Sequence, residues 1–248
     1  MHGDLSTLTL VALTFVLAGF VKGVVGVGLP TVAIGLLSLT MLPAQAAALL
    51  ILPTLVTNVW QALAGARLLA LIRRLWPMLL GIGVGTWLGG KLLTLSDSER
   101  AITALGCILV LYAVVGLTPV RFSVPARAQP WLSPVIGALT GAASAATGVF
   151  MVPAVPYLQA LALDKDDLVQ AIGLSVTVST LALALLLTGD GILKISTAGA
   201  SVLALAPALA GMLLGQAVRD RVQPEVFRVC FFIGLLLLGT HLALRAVF

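Results

Sequence analysis

Charge is what this chain has least of. Nine per cent of its 248 residues are Asp, Glu, Lys or Arg, against about 25% in a typical soluble domain. That is too little polar surface to cover a water-soluble fold of this length. Both histidines, His2 and His241, sit near the chain ends, and neither a metal site nor a cofactor is expected. No glycine loop ends in Gly-Lys-Ser/Thr, so the chain does not itself hydrolyse nucleotide. The net charge of +5 has no basic tract interleaved with aromatics behind it, so the basic residues read as topology signals and no nucleic-acid partner is expected. Cys107 and Cys230 lie inside apolar segments and read as two buried free thiols rather than a disulfide. The N-terminus "MHGDLSTLTL" carries an acid and no basic region, which argues against a cleaved signal peptide.

What the chain has in quantity is hydrocarbon. Sixty per cent of residues are hydrophobic, and the mean hydropathy is +1.16. Long apolar segments run near 5–26, 43–64, 75–95, 101–117, 131–147, 168–188, 196–217 and 226–246. Several reach the roughly 20 residues a helix needs to cross a bilayer. Two apolar pieces, 29–41 and 149–162, are too short for a comfortable span, and each follows a cluster of small residues. Lipid offers backbone groups no partner, so the expected class is all-α: a polytopic integral membrane protein with about eight long and two short or broken helices. It is placed in the cell (inner or plasma) membrane, with a homodimer left open.

The two halves are alike. "GFVKGVVGVGLP" at 19–30 lies 118 residues before "GALTGAASAATG" at 137–148, and "GTWLGG" at 85–90 resembles "GMLLGQ" at 211–216 at a spacing of 126. The expected organisation is a membrane repeat over 1–118, a connection over 119–130 and a second repeat over 131–248. Loop charge decides its sense. If the short pieces do not cross, Arg and Lys divide seven to six between the two sides. If each crosses, Arg67, Arg73, Arg74, Arg121, Arg127, Lys165, Arg219, Arg221 and Arg228 face Lys91, Arg100, Lys194 and Arg245, nine against four. Only the second division obeys the positive-inside rule, and it makes the repeats inverted, with both termini outside.

A lysine and a weakened backbone coincide at 19–30, where Lys22 is the one charged residue between Leu5 and Ala66. Glycine and proline in a helix interior mark a place where the helix thins, unwinds or is closely approached. Gly26, Gly28, Pro30 and Thr31 form that place in the first half; Ser144, Thr147 and Gly148 form it in the second. Pro30 and Gly148 are read as openings of the short helices, whose positive ends suit an anion. Paired interruptions of this kind point to a substrate site near the midplane. Thr54, Asn58 and Gln61 share a helix face, and Ser175 and Ser179 follow in "LVQAIGLSVTVST". Hydroxyls and amides donate to an oxyanion without adding negative charge. Against this stand plainer readings: glycines at four-residue spacing pack helices, Lys22 can snorkel, and membrane Ser and Thr bond their own i−4 carbonyl.

The pattern G-x-x-x-G-x-x-G-x-G at 19–28, "TGVFMVP" at 147–153 and "AIGLSV" at 171–176 resemble the sulfite exporter family of TauE/SafE-type anion permeases, over essentially the full chain. The resemblance implies transport of sulfite, sulfonates, organosulfur compounds or similar small anions on an ion gradient. Leu29–Pro30, Ala146–Thr147 and Leu174 depart from the family's pattern, which bears on the identity of the anion. The expected function is thus secondary-active transport of small (organo)sulfur oxyanions by alternating access, with proton linkage open because no Asp or Glu lies inside a long apolar segment. A passive anion channel and a non-transporting scaffold are the alternatives. An intramembrane hydrolase built on Ser175 lacks a histidine within reach, so no enzyme is expected.

Overall fold

The computed structural model describes residues 2–93, 98–118, 123–191, 195–219, 221 and 223–245. Among these the chain is helical throughout: α1 (His2–Val25), α2 (Leu29–Leu37), α3 (Pro43–Leu63), α4 (Leu68–Leu93), α5 (Ser98–Leu117), α6 (Gln129–Thr147), α7 (Ala154–Ala160), α8 (Lys165–Gly189), α9 (Ile195–Arg219) and α10 (Pro224–Arg245). Eight helices are long and two are short. Seven are long and apolar enough, by length and composition, to cross a membrane. The eighth, α6, lies outside that set, carrying Ser133, Thr140, Ser144 and Thr147 on its buried side. The protein is a multi-pass membrane protein.

Several boundaries differ from expectation for local reasons. Helix α4 starts at Leu68, so Arg73 and Arg74 lie within it rather than ahead of it. The short pieces contract to 29–37 and 154–160. Gly148 does not open α7: at φ 70 it closes α6, its amide donating to the Ser144 carbonyl at 2.7 Å. Gly26 does the same for α1, at φ 85 with its amide on the Lys22 carbonyl at 2.7 Å. Both left-handed positions favour glycine. The glycine-rich stretch itself does not unwind, because α1 stays helical through Gly19 and Gly23 to Val25. The expected connection over 119–130 falls partly outside the described residues, and Gln129–Pro130 already belongs to α6.

Those two glycines serve packing. A methyl on Gly19 would land on the Ala208 carbonyl, and one on Gly137 on the Met78 carbonyl. Helix α1 therefore lies backbone-to-backbone on α9, and α6 on α4, as small residues allow in membranes. These contacts correct the alignment of the halves. Gly81 rests on Pro134 and Gly85 on Ala138, while Gly211 rests on Val16 and Gly215 on Phe20. Carried onto the expected repeats, these contacts would pair Gly81 with Gly211 at a spacing of 130, one turn beyond the spacing read from "GTWLGG". Pro77 of α4 and Pro207 of α9 obey the same spacing.

The same register gives helix directions. Contacts rise together along α1 and α9, and along α4 and α6. Arg67 meets Asp167 and Gly90 meets Leu186, so α4 and α8 run together. Gly173 faces Asn58 while Gln61 reaches back to Val169, so α3 opposes α8. Ser201 early in α9 touches Leu49 of α3, and Lys22, on the stretch of α1 against α9's far half, meets Asn58, which aligns α1, α3 and α9. One set (α1, α3, α9) therefore runs against the other (α4, α6, α8). Gly106 beside Ala243 and Gly116 beside Phe232 make α5 and α10 antiparallel too. Since α1 and α3 share a direction, residues 26–42 carry the chain back between them, and residues 148–164 do so between α6 and α8.

Cys107 and Cys230 are free but exposed on the outer faces of α5 and α10, not buried. Lipid-facing and core positions are equally apolar here, so hydropathy could not separate them. One cross-helix contact repairs a backbone break. Pro53 lacks an N–H, leaving the Leu49 carbonyl without its helical partner. The Ser201 hydroxyl of α9 donates to that carbonyl at 2.9 Å and accepts from the Leu52 amide at 3.1 Å. Ser201→Ala should therefore lower the unfolding free energy by about 1–3 kcal/mol, read as a reduced Tm in detergent with the helical circular dichroism unchanged.

Candidate functional site

Lys22 is 5% exposed, the one buried charged side chain among the described residues. It does not snorkel. The α1–α9 contact holds its helix inside the bundle, and its Nζ donates to Asn58 Oδ1 at 2.7 Å. Asn58 is oriented in turn, its Nδ2 donating to the Thr54 carbonyl at 2.8 Å. A lysine within a membrane helix costs about 2.5–3.5 kcal/mol on insertion scales, and a hydrogen bond to a charged group returns about 1.5–3 kcal/mol. The amide thus compensates most of the cost of burial without neutralising the charge.

Around this pair lie hydroxyls of two kinds. Ser144 donates to the Thr140 carbonyl at 2.7 Å, Thr147 to Ala143 at 2.7 Å, and Ser175 to Ala171 at 2.8 Å. Each has its proton committed one turn back on its own helix, as the plainer reading held. Thr31, Thr54 and Ser179 are fully buried, and their hydroxyl oxygens have no partner. The register places these three at one level. Gly173 opposite Asn58 puts Ser179 beside the turn of α3 that contains Leu52 and Thr54. Ile34 and Ala47 meet at Gly148, which puts Thr31, one turn before Ile34, beside Leu50. On this register the three stand on α2, α3 and α8 within about a turn of one another, Thr54 one turn from Asn58 and the other two up to about two turns from it.

The remaining expected residues frame this level. Gly28 caps α2 at φ 108 and Pro30 sits in its first turn, so the α2 N-terminus opens at Thr31. Gly26 and Gly148 end α1 and α6. Gln61 lies away from the lysine. With Gly65, Arg67, Asp164, Asp167 and Gln170 it lines a cleft of about 420 Å³ where α3 turns into α4. There its Nε2 donates to the Val169 carbonyl at 2.8 Å. Gln170 donates to the Ala62 and Gly65 carbonyls at 2.7 and 2.9 Å and accepts from the Arg67 amide at 3.2 Å. Arg67 pairs with Asp167 at 3.1 Å. This polar clasp ties one end of α3 to α8. Gln170 read from the sequence as a candidate lining residue, and it lies here instead; Ser201 escaped the sequence reading, since it acts on a backbone more than a hundred residues away.

The pair can be tested apart from any ligand. Asn58→Leu should strand a buried ammonium and lower stability by about 1.5–3 kcal/mol, whereas Lys22→Met combined with Asn58→Leu should restore most of it. Thermal unfolding of the two singles and the double in one detergent checks this; additive losses would contradict it.

The family model "Sulfite exporter TauE/SafE" matches residues 11–242 of the chain. No curated protein matches it, and no solved structure matches it.

Proposed function

Because the chain belongs to the sulfite exporter TauE/SafE family, a family of membrane anion transporters, we propose that it carries small (organo)sulfur oxyanions such as sulfite or sulfonates across the cell inner membrane by alternating access. The observation that supports this most directly is Lys22, buried on a neutral amide, with the uncommitted hydroxyl of Thr54 one turn from that amide and those of Thr31 and Ser179 farther along on α2 and α8. The set suits an oxyanion: a buried lysine, several neutral donors and, among the described residues, no buried carboxylate beside them. In this reading α1–α5 and α6–α10 are two inverted repeats, consistent with the opposed directions of α1 and α6, α3 and α8, and α4 and α9. Exchanging the shapes of such repeats interconverts states open to either side. Lys22, Gly26, Gly28, Pro30, Thr31, Asn58, Ser144, Thr147, Gly148, Ser175 and Ser179 surround the site, while Gln61 closes one approach to it.

Flux of sulfite or methanesulfonate into proteoliposomes of the purified protein tests the reading. Lys22→Met should raise the half-saturating concentration some tenfold to hundredfold, the equivalent of about 1.5–3 kcal/mol. Lys22→Arg should retain part of the affinity, since charge survives while geometry changes. Uphill accumulation under an imposed gradient is expected; strictly downhill flux would make the protein a channel.

The nine-to-four loop charge split orients the molecule. Reporter fusions should place the C-terminus outside and the 67–74 segment in the cytoplasm.

A further inference from the structure

We infer that this site is a monoanion site: it takes singly charged oxyanions of the R–SO3⁻ type and rejects dianions such as sulfate. The inference rests on the proposed transport reading and refines it. The charges at the site can be counted. Lys22 supplies at most one unit, and no other buried group on α1, α2, α3 or α8 is ionisable among the described residues. Helix ends add fractions of about half a charge each. The α2 N-terminus contributes positively beside Thr31. The α1 C-terminus at Val25 and the α6 C-terminus at Thr147 contribute negatively, and Gly148, which caps α6, touches Ile34 of α2. Positive and negative ends largely offset, so the site's field is that of one lysine or somewhat less.

A monoanion at this level forms a neutral pair with Lys22. A dianion would keep a full negative charge in a low-dielectric interior, which is heavily disfavoured. The neutral donors agree with this. Thr54 offers an uncommitted hydroxyl one turn from Asn58, and Thr31 and Ser179 offer two more on α2 and α8, all neutral. Asn58 turns its Oδ1 to the lysine, which orients the ammonium without cancelling its charge. A substrate whose second ionisation lies near neutrality would cross singly protonated and carry its own proton, so coupling would require no carboxylate relay on the protein.

The test uses the purified full-length protein, with methanesulfonate and sulfate as probes at matched ionic strength, read by calorimetry and thermal shift. Methanesulfonate should bind, sulfate at least tenfold more weakly. Thr54→Val should weaken methanesulfonate several-fold while leaving the ligand-free Tm close to that of the parent. Sulfate binding as tightly as methanesulfonate, or more tightly, overturns the inference while leaving anion transport intact. If neither probe binds and the proteoliposomes show no anion flux, the transport reading falls and the inference with it.

Discussion

Backbone amides inside hydrocarbon have no water to turn to, and the molecule is arranged around that constraint. Helices meet the demand internally, except where the chain leaves the helix, as at 26–28 and 148–153, and where a proline removes a donor, as at Pro53, Pro77, Pro134 and Pro207. Three of these exceptions are answered by groups within the protein. Glycine amides at 26 and 148 return to the carbonyls four residues earlier, and Ser201 reaches across from α9 to serve the turn at Pro53. The exceptions also concentrate polarity. Helix ends, an uncommitted threonine on α2 and a carbonyl-bonded asparagine on α3 all collect at one depth because the backbone is interrupted there.

Burial of Lys22 follows from packing rather than from a demand for charge. Glycines at 19 and 23 let α1 lie against the α9 backbone. The lysine between them on that helix is held away from the headgroups it would otherwise seek. Asn58 accepts from the ammonium and keeps its amide turned by bonding its own helix. A neutral acceptor leaves the ammonium's charge available, whereas a carboxylate at that position would have consumed it. The same close approach occurs between α6 and α4, where Gly137 lies on Met78. At the Lys22 position, however, the second half has Thr140, whose proton is already given to the Ile136 carbonyl. The two halves thus differ in charge at this point, and Lys22 is the one buried charged side chain among the described residues.

Opposed helix directions give this arrangement a mechanical meaning. Helices α1 and α4 each pack chiefly on a helix of the other half, through nearly rigid backbone contacts, so the halves are interlocked rather than merely adjacent. Helices α3 and α8 meet across the level of the uncommitted hydroxyls, and at one end the clasp of Gln61, Gln170, Arg67 and Asp167 draws them together.

The sequence by itself determined the class and the helix count, because scarcity of charge and run length are properties of consecutive residues. It also singled out Lys22, Asn58, Thr31 and Ser179, all of which the fold buries, since a polar residue amid hydrocarbon is conspicuous wherever it folds. Tertiary structure alone decided which hydroxyls are committed: Ser144 and Ser179 look equivalent in a string, and only helix register and neighbours separate them. It also moved Gly148 from the start of one helix to the end of another, shifted the alignment of α4 with α9 by a turn, and put both cysteines on the outside. Those outcomes depend on which face of a uniformly apolar helix meets another backbone. In a membrane, hydropathy carries little information about that, because lipid and core are equally apolar solvents.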